Sequence, residues 1–161
     1  YEVNEMEENI KQAEVQVEKS SEEGGKYYLY QIIFSVVPKS GNKLPRSEIN
    51  KHLRTLEDLA QTLAGGYTLI RCEGGYTFED NKRRVYGEET YILQIAGNNI
   101  TTKDLRKIAA VAIIAYRQQS VVLVFPDMHT ELVFDTEVEQ IKEENKKEFE
   151  ELYARGEINV L

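Results

Sequence analysis

The chain holds one cysteine, two histidines and no tryptophan among its 161 residues. It also lacks any long apolar run, and each scarcity removes a class of function. A single thiol, Cys72, cannot close an intramolecular disulfide and fits a reducing compartment, so a cytoplasmic location is the expectation. Two histidines and one cysteine make a poor zinc set, and no cofactor is expected. Nothing approaches the roughly 18 consecutive apolar residues that span a bilayer, and the first residues are acidic instead of following the basic-then-apolar order of a secretory signal. No membrane partner is expected.

The net charge of -8 is unevenly spread. Residues 1–23 hold eight acids against two bases and residues 131–161 ten against four, which leaves fourteen bases against ten acids between them. An acidic molecule is repelled by phosphates at long range, so nonspecific duplex binding is disfavoured, while a local basic pocket in the middle of the chain stays open.

The chain is long enough for one core with appendages. In the N-terminal segment Val3, Met6, Ile10, Ala13 and Val17 recur at spacings of three and four, which predicts an acidic amphipathic helix over 1–23. The alternation Glu14-Val15-Gln16-Val17-Glu18 competes as an edge strand, and Ser20 to Gly25 reads as a linker. From Tyr27 to Val37 the aromatic and β-branched residues predict a strand that stops at Pro38. Ser47 is a candidate N-cap for a helix with Ile49, Leu53, Leu56, Ala60 and Leu63 on one face, closed by Gly65. Strands follow over Tyr67–Cys72 and Arg84–Ala96, then a helix capped by Thr101 or Thr102 and a strand over Ser120–Phe125.

This β-α-β-β-α-β order predicts an α+β ferredoxin-like sandwich over 26–125, with both helices on one face of an antiparallel sheet. Residues 126–161 read as a C-terminal extension: a short strand over Thr130–Phe134 and an acidic helix from Thr136. Its charge run, Glu143 to Glu151, is expected to line a solvated face.

The segment that looks built for a ligand is Gly65 to Tyr91, where two copies of Gly-Gly-Tyr-Thr stand nine residues apart beside Lys82-Arg83-Arg84. Gly65 and Gly66 fit a helix cap and turn, since neither glycine pair has Walker or dinucleotide spacing. Gly74 and Gly75 fall in or beside a strand, where glycine marks a bulge or the close approach of another group. Arginine forks grip phosphate or carboxylate at two points, and tyrosines stack on planar rings. The candidate ligand-binding residues are therefore Arg71, Tyr67, Gly74, Gly75, Tyr76, Arg83, Arg84, Tyr86, Glu88 and Tyr91, expected to converge on one cavity.

Five of these positions also carry a resemblance. Gly65-Gly66-Tyr67-Thr68, a glycine at Gly74 or Gly75, the aromatic Tyr76, Gly87-Glu88-Glu89 and the apolar strand Tyr91 to Ile95 are similar to a family of uncharacterised small bacterial proteins. The resemblance covers Tyr28 to Phe125 and implies a ferredoxin-like fold, with no reaction and no catalytic residue attached.

No catalytic set emerges from the residues themselves. Glu88 and Glu89 are neighbours on a strand, so they face opposite ways and cannot work as an acid/base pair; Glu88 is expected to accept a bond from a tyrosine or arginine. His52, among Lys51 and Arg54, and His129, beside Met128, are expected at the surface, and Cys72 in the core. The expected function is a noncatalytic module, oligomeric with itself, that captures an anionic, ring-bearing small molecule such as a nucleotide. One concrete form is a phage-type sponge for a nucleotide immune signal. Its rivals are a protein-interaction or oligomerisation module working through the acidic amphipathic termini, and a small dimeric ferredoxin-like enzyme.

Overall fold

In the computed structural model, which describes residues 26–159, the first strand runs through the middle of the sheet. That strand, β1 (Tyr28–Ser35), is followed by α1 (Arg46–Ala64), β2 (Thr68–Thr77), β3 (Arg84–Gly97), α2 (Thr102–Tyr116), β4 (Ser120–Val124) and β5 (Thr130–Phe134). The five strands lie in the order β2-β3-β1-β4-β5, all antiparallel to their neighbours. This is a ferredoxin-like α+β fold with one added edge strand, β5. The N-terminal helix-or-strand alternative falls outside the described residues.

Alternation along the strands decides what each face buries. Tyr30, Ile32 and Phe34 of β1 pair with Ile95, Leu93 and Tyr91 of β3, and this face lies under α1 and α2. Ile33 and Ser35 pair with Ile92 and Thr90 on the opposite, open face. The helix α1 buries Ile49, Leu53, Leu56 and Ala60, as its spacing predicts. By contrast α2 is buried nearly all round from Ile108 to Tyr116, because helices from the C-terminal segment cover the side turned away from α1.

Those helices, α3 (Val138–Glu144) and α4 (Lys146–Ala154), follow a single 3-10 turn at Asp135–Glu137. One continuous helix was the expectation; the break falls at Asn145, whose side chain donates to the Ile141 carbonyl at 2.8 Å and closes the first helix. Ile141, Phe149, Leu152 and Ile158 join the same hydrophobic cluster as Ile32 and Leu93. Within the described residues, side chains from the chain after Pro126 therefore pack into the main core. Glu143, Glu148 and Glu150 lie on the exposed side.

Local signals explain most boundaries. Thr101 and Asp104 form a reciprocal capping box with both bonds at 3.1 Å, which fixes the start of α2. Gly65 takes a left-handed φ of 81° and donates to the Gln61 carbonyl at 2.7 Å, ending α1. The start of α1 corrects the sequence reading: Pro45, not Ser47, occupies the cap, and its carbonyl accepts from Glu48 and Ile49 at 3.0 Å. Proline's fixed φ suits the entry to a helix, where its missing N–H costs nothing. No helix among the described residues is long and apolar enough to cross a membrane.

Two side chains lie where the sequence did not place them. His52 is 1% exposed. The edge of its ring meets Tyr116 at 5.7 Å, and Nδ1 lies 3.3 Å from the Glu157 carbonyl of the C-terminal segment. Basic neighbours in sequence pointed to a surface position, but the returning chain covers that part of α1. Cys72 is only half-buried and pairs with Thr90 on the open face, away from the helix-covered core.

Candidate functional site

Two clefts flank the far end of the β2–β3 hairpin. The larger, about 580 Å³, lies between that hairpin, the loop after β1 and the first turn of α1. Lys43 and Leu44 come from the loop, Arg46 from α1, Arg71 and Tyr76 from β2, and Arg83 and Tyr86 from the return of the hairpin. Its lining carries four cations, Lys43, Arg46, Arg71 and Arg83, against Glu73, Glu88 and Glu89. A locally positive cleft thus sits in an acidic protein.

Glu89 organises this cleft from below. Arg46 grips its carboxylate at two points, with Nη1 to Oε2 at 2.7 Å and Nη2 to Oε1 at 2.6 Å. Arg71 Nη2 donates to Oε1 at 3.2 Å, and the Tyr91 hydroxyl to Oε2 at 2.6 Å. The Arg46 bonds hold the Glu89 carboxyl well below its ordinary range, at about 2, against the opposing pull of burial. Burial first, and the bond to Glu89 next, push the Tyr91 phenol up. From Tyr91 a column of stacked rings runs through Phe34 to Tyr116, whose hydroxyl donates to the Ile49 carbonyl at 2.8 Å. The charged network is thereby anchored in the core.

The hairpin wall has its own supports. A six-residue turn is closed by bonds between Phe78 and Arg83, and from Lys82 to Phe78, each 2.9 Å. The Arg83 guanidinium lies 4.5 Å from the centre of the Phe78 ring, and Tyr76 meets the same ring edge-on at 4.8 Å. These contacts hold the exposed Arg83 side chain along the border of the cleft. Tyr86 stands freely at the rim, 76% exposed. Burial pushes the Tyr76 phenol up.

The second cleft, about 390 Å³, opens on the other face of the sheet. Gly74, Gly75 and Tyr76 on one edge strand and Leu132 and Phe134 on the other border it together. A register shift between Gly74 and Tyr76 marks a bulge in the ladder. A Cβ on Gly74 would lie 2.5 Å from Thr90 Oγ1, and one on Gly75 would lie 2.8 Å from the Val85 carbonyl oxygen. Both glycines are required by close approach within the hairpin.

The single cavity expected from the sequence is therefore divided. Arg71, Tyr76, Arg83, Tyr86 and Glu88 border the first cleft; Gly74 and Gly75, again with Tyr76 and Glu88, border the second. Tyr91 lies one layer below the first cleft and acts on it through Glu89. Tyr67 and Arg84 belong to neither. The hydroxyl of Tyr67 donates to Glu57 on α1, which raises its pKa, and its ring packs on the core at the far end of β2. Arg84 pairs with Thr77 and is exposed beyond both clefts. Glu88 and Glu89 do face opposite ways, and the donor to Glu88 is the Ser35 hydroxyl at 2.9 Å, not a tyrosine or arginine.

Sequence reasoning missed Arg46, Glu89 and Lys43 as contributors. One signal was available for Arg46: a base in the first turn of a helix opposes the helix dipole and needs a partner to hold it there. Lys43 had none, being one of several loop cations. Among the described residues no group of three or more His, Cys, Asp or Glu side chains is placed to hold a metal ion.

No protein-family model matches the chain, and no curated protein matches it. Two solved structures are similar in fold. A phage SAM lyase in complex with S-methyl-5'-thioadenosine aligns with a TM-score of 0.53 and 11% identity, over 67% of this chain and 89% of that one. A phage SAM lyase in the apo state aligns with a TM-score of 0.46 and 11% identity, over 66% and 88%. At this identity the first likeness establishes the ferredoxin-like fold.

Proposed function

We propose that the chain binds a small anionic, ring-bearing molecule of the nucleotide kind in the cleft between α1 and the β2–β3 hairpin. The observation that carries this reading is that Arg71 on β2 and Arg83 at the end of the hairpin turn border one 580 Å³ cleft together with Tyr76 and Tyr86. That volume suits a small ligand. Arg46 is gripped at two points by Glu89, which leaves Lys43, Arg83 and Arg71, bonded to Glu89 through Nη2 alone, as the cations available to an incoming phosphate or carboxylate. Tyr76 is held against Phe78, and the exposed Tyr86 offers a second ring to close over a base. The similar phage structure was solved with S-methyl-5'-thioadenosine, so that nucleoside thioether belongs among the ligands tried.

Thermal unfolding with AMP, a cyclic dinucleotide and S-methyl-5'-thioadenosine tests the proposal. A bound ligand raises Tm with concentration, and Arg71→Ala and Arg83→Ala reduce the gain while leaving the ligand-free Tm within a few degrees. No gain with AMP or the cyclic dinucleotide sinks it, because the thioether is uncharged and tests the ring alone. Chromatography of the same mixtures separates capture from catalysis: ligand recovered unchanged fits sequestration, including the sponge role, and a converted ligand makes the chain an enzyme.

A second reading, self-association, is favoured by Leu29 and Ile70, which remain 47% and 38% exposed on the open face. Sedimentation equilibrium of the full chain decides it, and a monomer at micromolar concentration rules it out.

A further inference from the structure

We propose that the cleft on the open face of the sheet is a separate binding site, for an apolar body that carries a protonated amine. Its shape depends on the curl of the sheet. Edge strands β2 and β5 are separated by three others, yet Gly75 and Phe134 border the same 390 Å³ space. The sheet must therefore bend into a trough at this end, and the bulge between Gly74 and Tyr76 supplies the local twist.

The trough is apolar below and acidic at its side. Ile33 and Val122 contribute to its lining, and Leu132 and Phe134 leave 48% and 42% of their surface exposed beside them. Covering such side chains is favourable for any apolar ligand. The polar contribution comes from Glu88, half-buried, whose Oε2 takes the Ser35 hydroxyl; Oε1 has no hydrogen bond among the described residues. Glu79 adds a second carboxylate. Lys39, the one cation in the lining, is paired with Asp135 at 2.9 Å and neutralised there. A half-buried carboxylate with an open oxygen over an apolar floor is complemented by an ammonium group on a hydrophobic body.

Charge argues against other occupants. Residues 1–23 hold eight acids against two bases, a poor complement to Glu79 and Glu88. A second copy of this acidic chain would bring like charge to Glu79 and Glu88. The site is also unlike the first cleft, whose lining is positive, although Tyr76 and Glu88 border both.

Calorimetric titration of the full chain with three indoles of similar shape tests the assignment: tryptamine, neutral tryptophol and anionic indole-3-propionate. Tryptamine is expected to bind about tenfold tighter than tryptophol, the worth of a charge-assisted bond, and indole-3-propionate not measurably. Glu88→Gln, which keeps an acceptor for Ser35, should bring tryptamine down to the tryptophol level. Leu132→Asn, at an already exposed position, should weaken tryptamine and tryptophol together while leaving the AMP response of the first cleft unchanged. That response separates the two sites, so either proposal can fail alone. The assignment is overturned if no indole binds, if indole-3-propionate matches tryptamine, or if the tryptamine preference survives Glu88→Gln. Binding that appears only on dilution would give the trough to a second copy instead.

Discussion

Arg46 and Glu89 meet through two parallel hydrogen bonds of 2.7 and 2.6 Å, tying the first turn of α1 to the middle of β3. The carboxylate is 14% exposed and also receives Arg71 and Tyr91, so one acidic side chain sets the position of three others. Arg71 reaches the cleft as part of this network.

Acid should weaken the network in a defined window. Glu89 has its pKa lowered from 4.5 to about 2, so the stabilisation is complete above 4.5 and is lost as the pH falls through about 2. Glu89→Gln should lower Tm by about 3 °C at neutral pH, a modest loss because Arg46 is half exposed. Thermal melts across the pH range should show the gap between the two proteins closing between pH 4.5 and 2. A gap that is constant with pH contradicts the assignment.

The hydroxyl of Tyr116 is buried and bonded to the Ile49 carbonyl. Tyr116→Phe should cost about 1–2 kcal/mol in urea denaturation, the usual loss for a buried hydrogen bond whose partner is left behind. No change would mean that the bond adds nothing to the fold.

Gly74 and Thr90 should be coupled, since a new methyl at Gly74 would strike Thr90 Oγ1. Gly74→Ala should destabilise the chain, and Thr90→Ala should relieve part of that loss, with a coupling of about 1 kcal/mol in a double-mutant cycle. Gly75→Ala meets a backbone carbonyl and should gain no such relief. Additive effects at Gly74 and Thr90 would refute the contact.

Phe149 on α4 is 2% exposed within the main core. Phe149→Ala should cost about 3–5 kcal/mol and move one cooperative transition. If α3 and α4 formed an independent extension, the core transition would stay where it was.

The fold was legible because its signals are local. Aromatic and β-branched runs, the Thr101–Asp104 capping box and the left-handed Gly65 each mark an element from a few neighbouring residues. The site was legible only in part. Arg71, Tyr76, Arg83 and Tyr86 stand within one hairpin, so their proximity follows from a short turn. Arg46 reaches the same cleft from another element, and Tyr67 departs from it because the far end of β2 points it at Glu57. His52 was misplaced for a related reason: the chain that buries it lies 105 residues further on.

The sequence by itself determined the order of the elements, their apolar faces and the gathering of glycine, tyrosine and arginine in one hairpin, since these depend on spacing along the chain. Tertiary structure decided that the hairpin borders two clefts of opposite charge, and that Glu89 is the group that holds Arg46 and Arg71. Those outcomes depend on which distant segments meet across the curled sheet, and separation along the chain carries no information about such encounters.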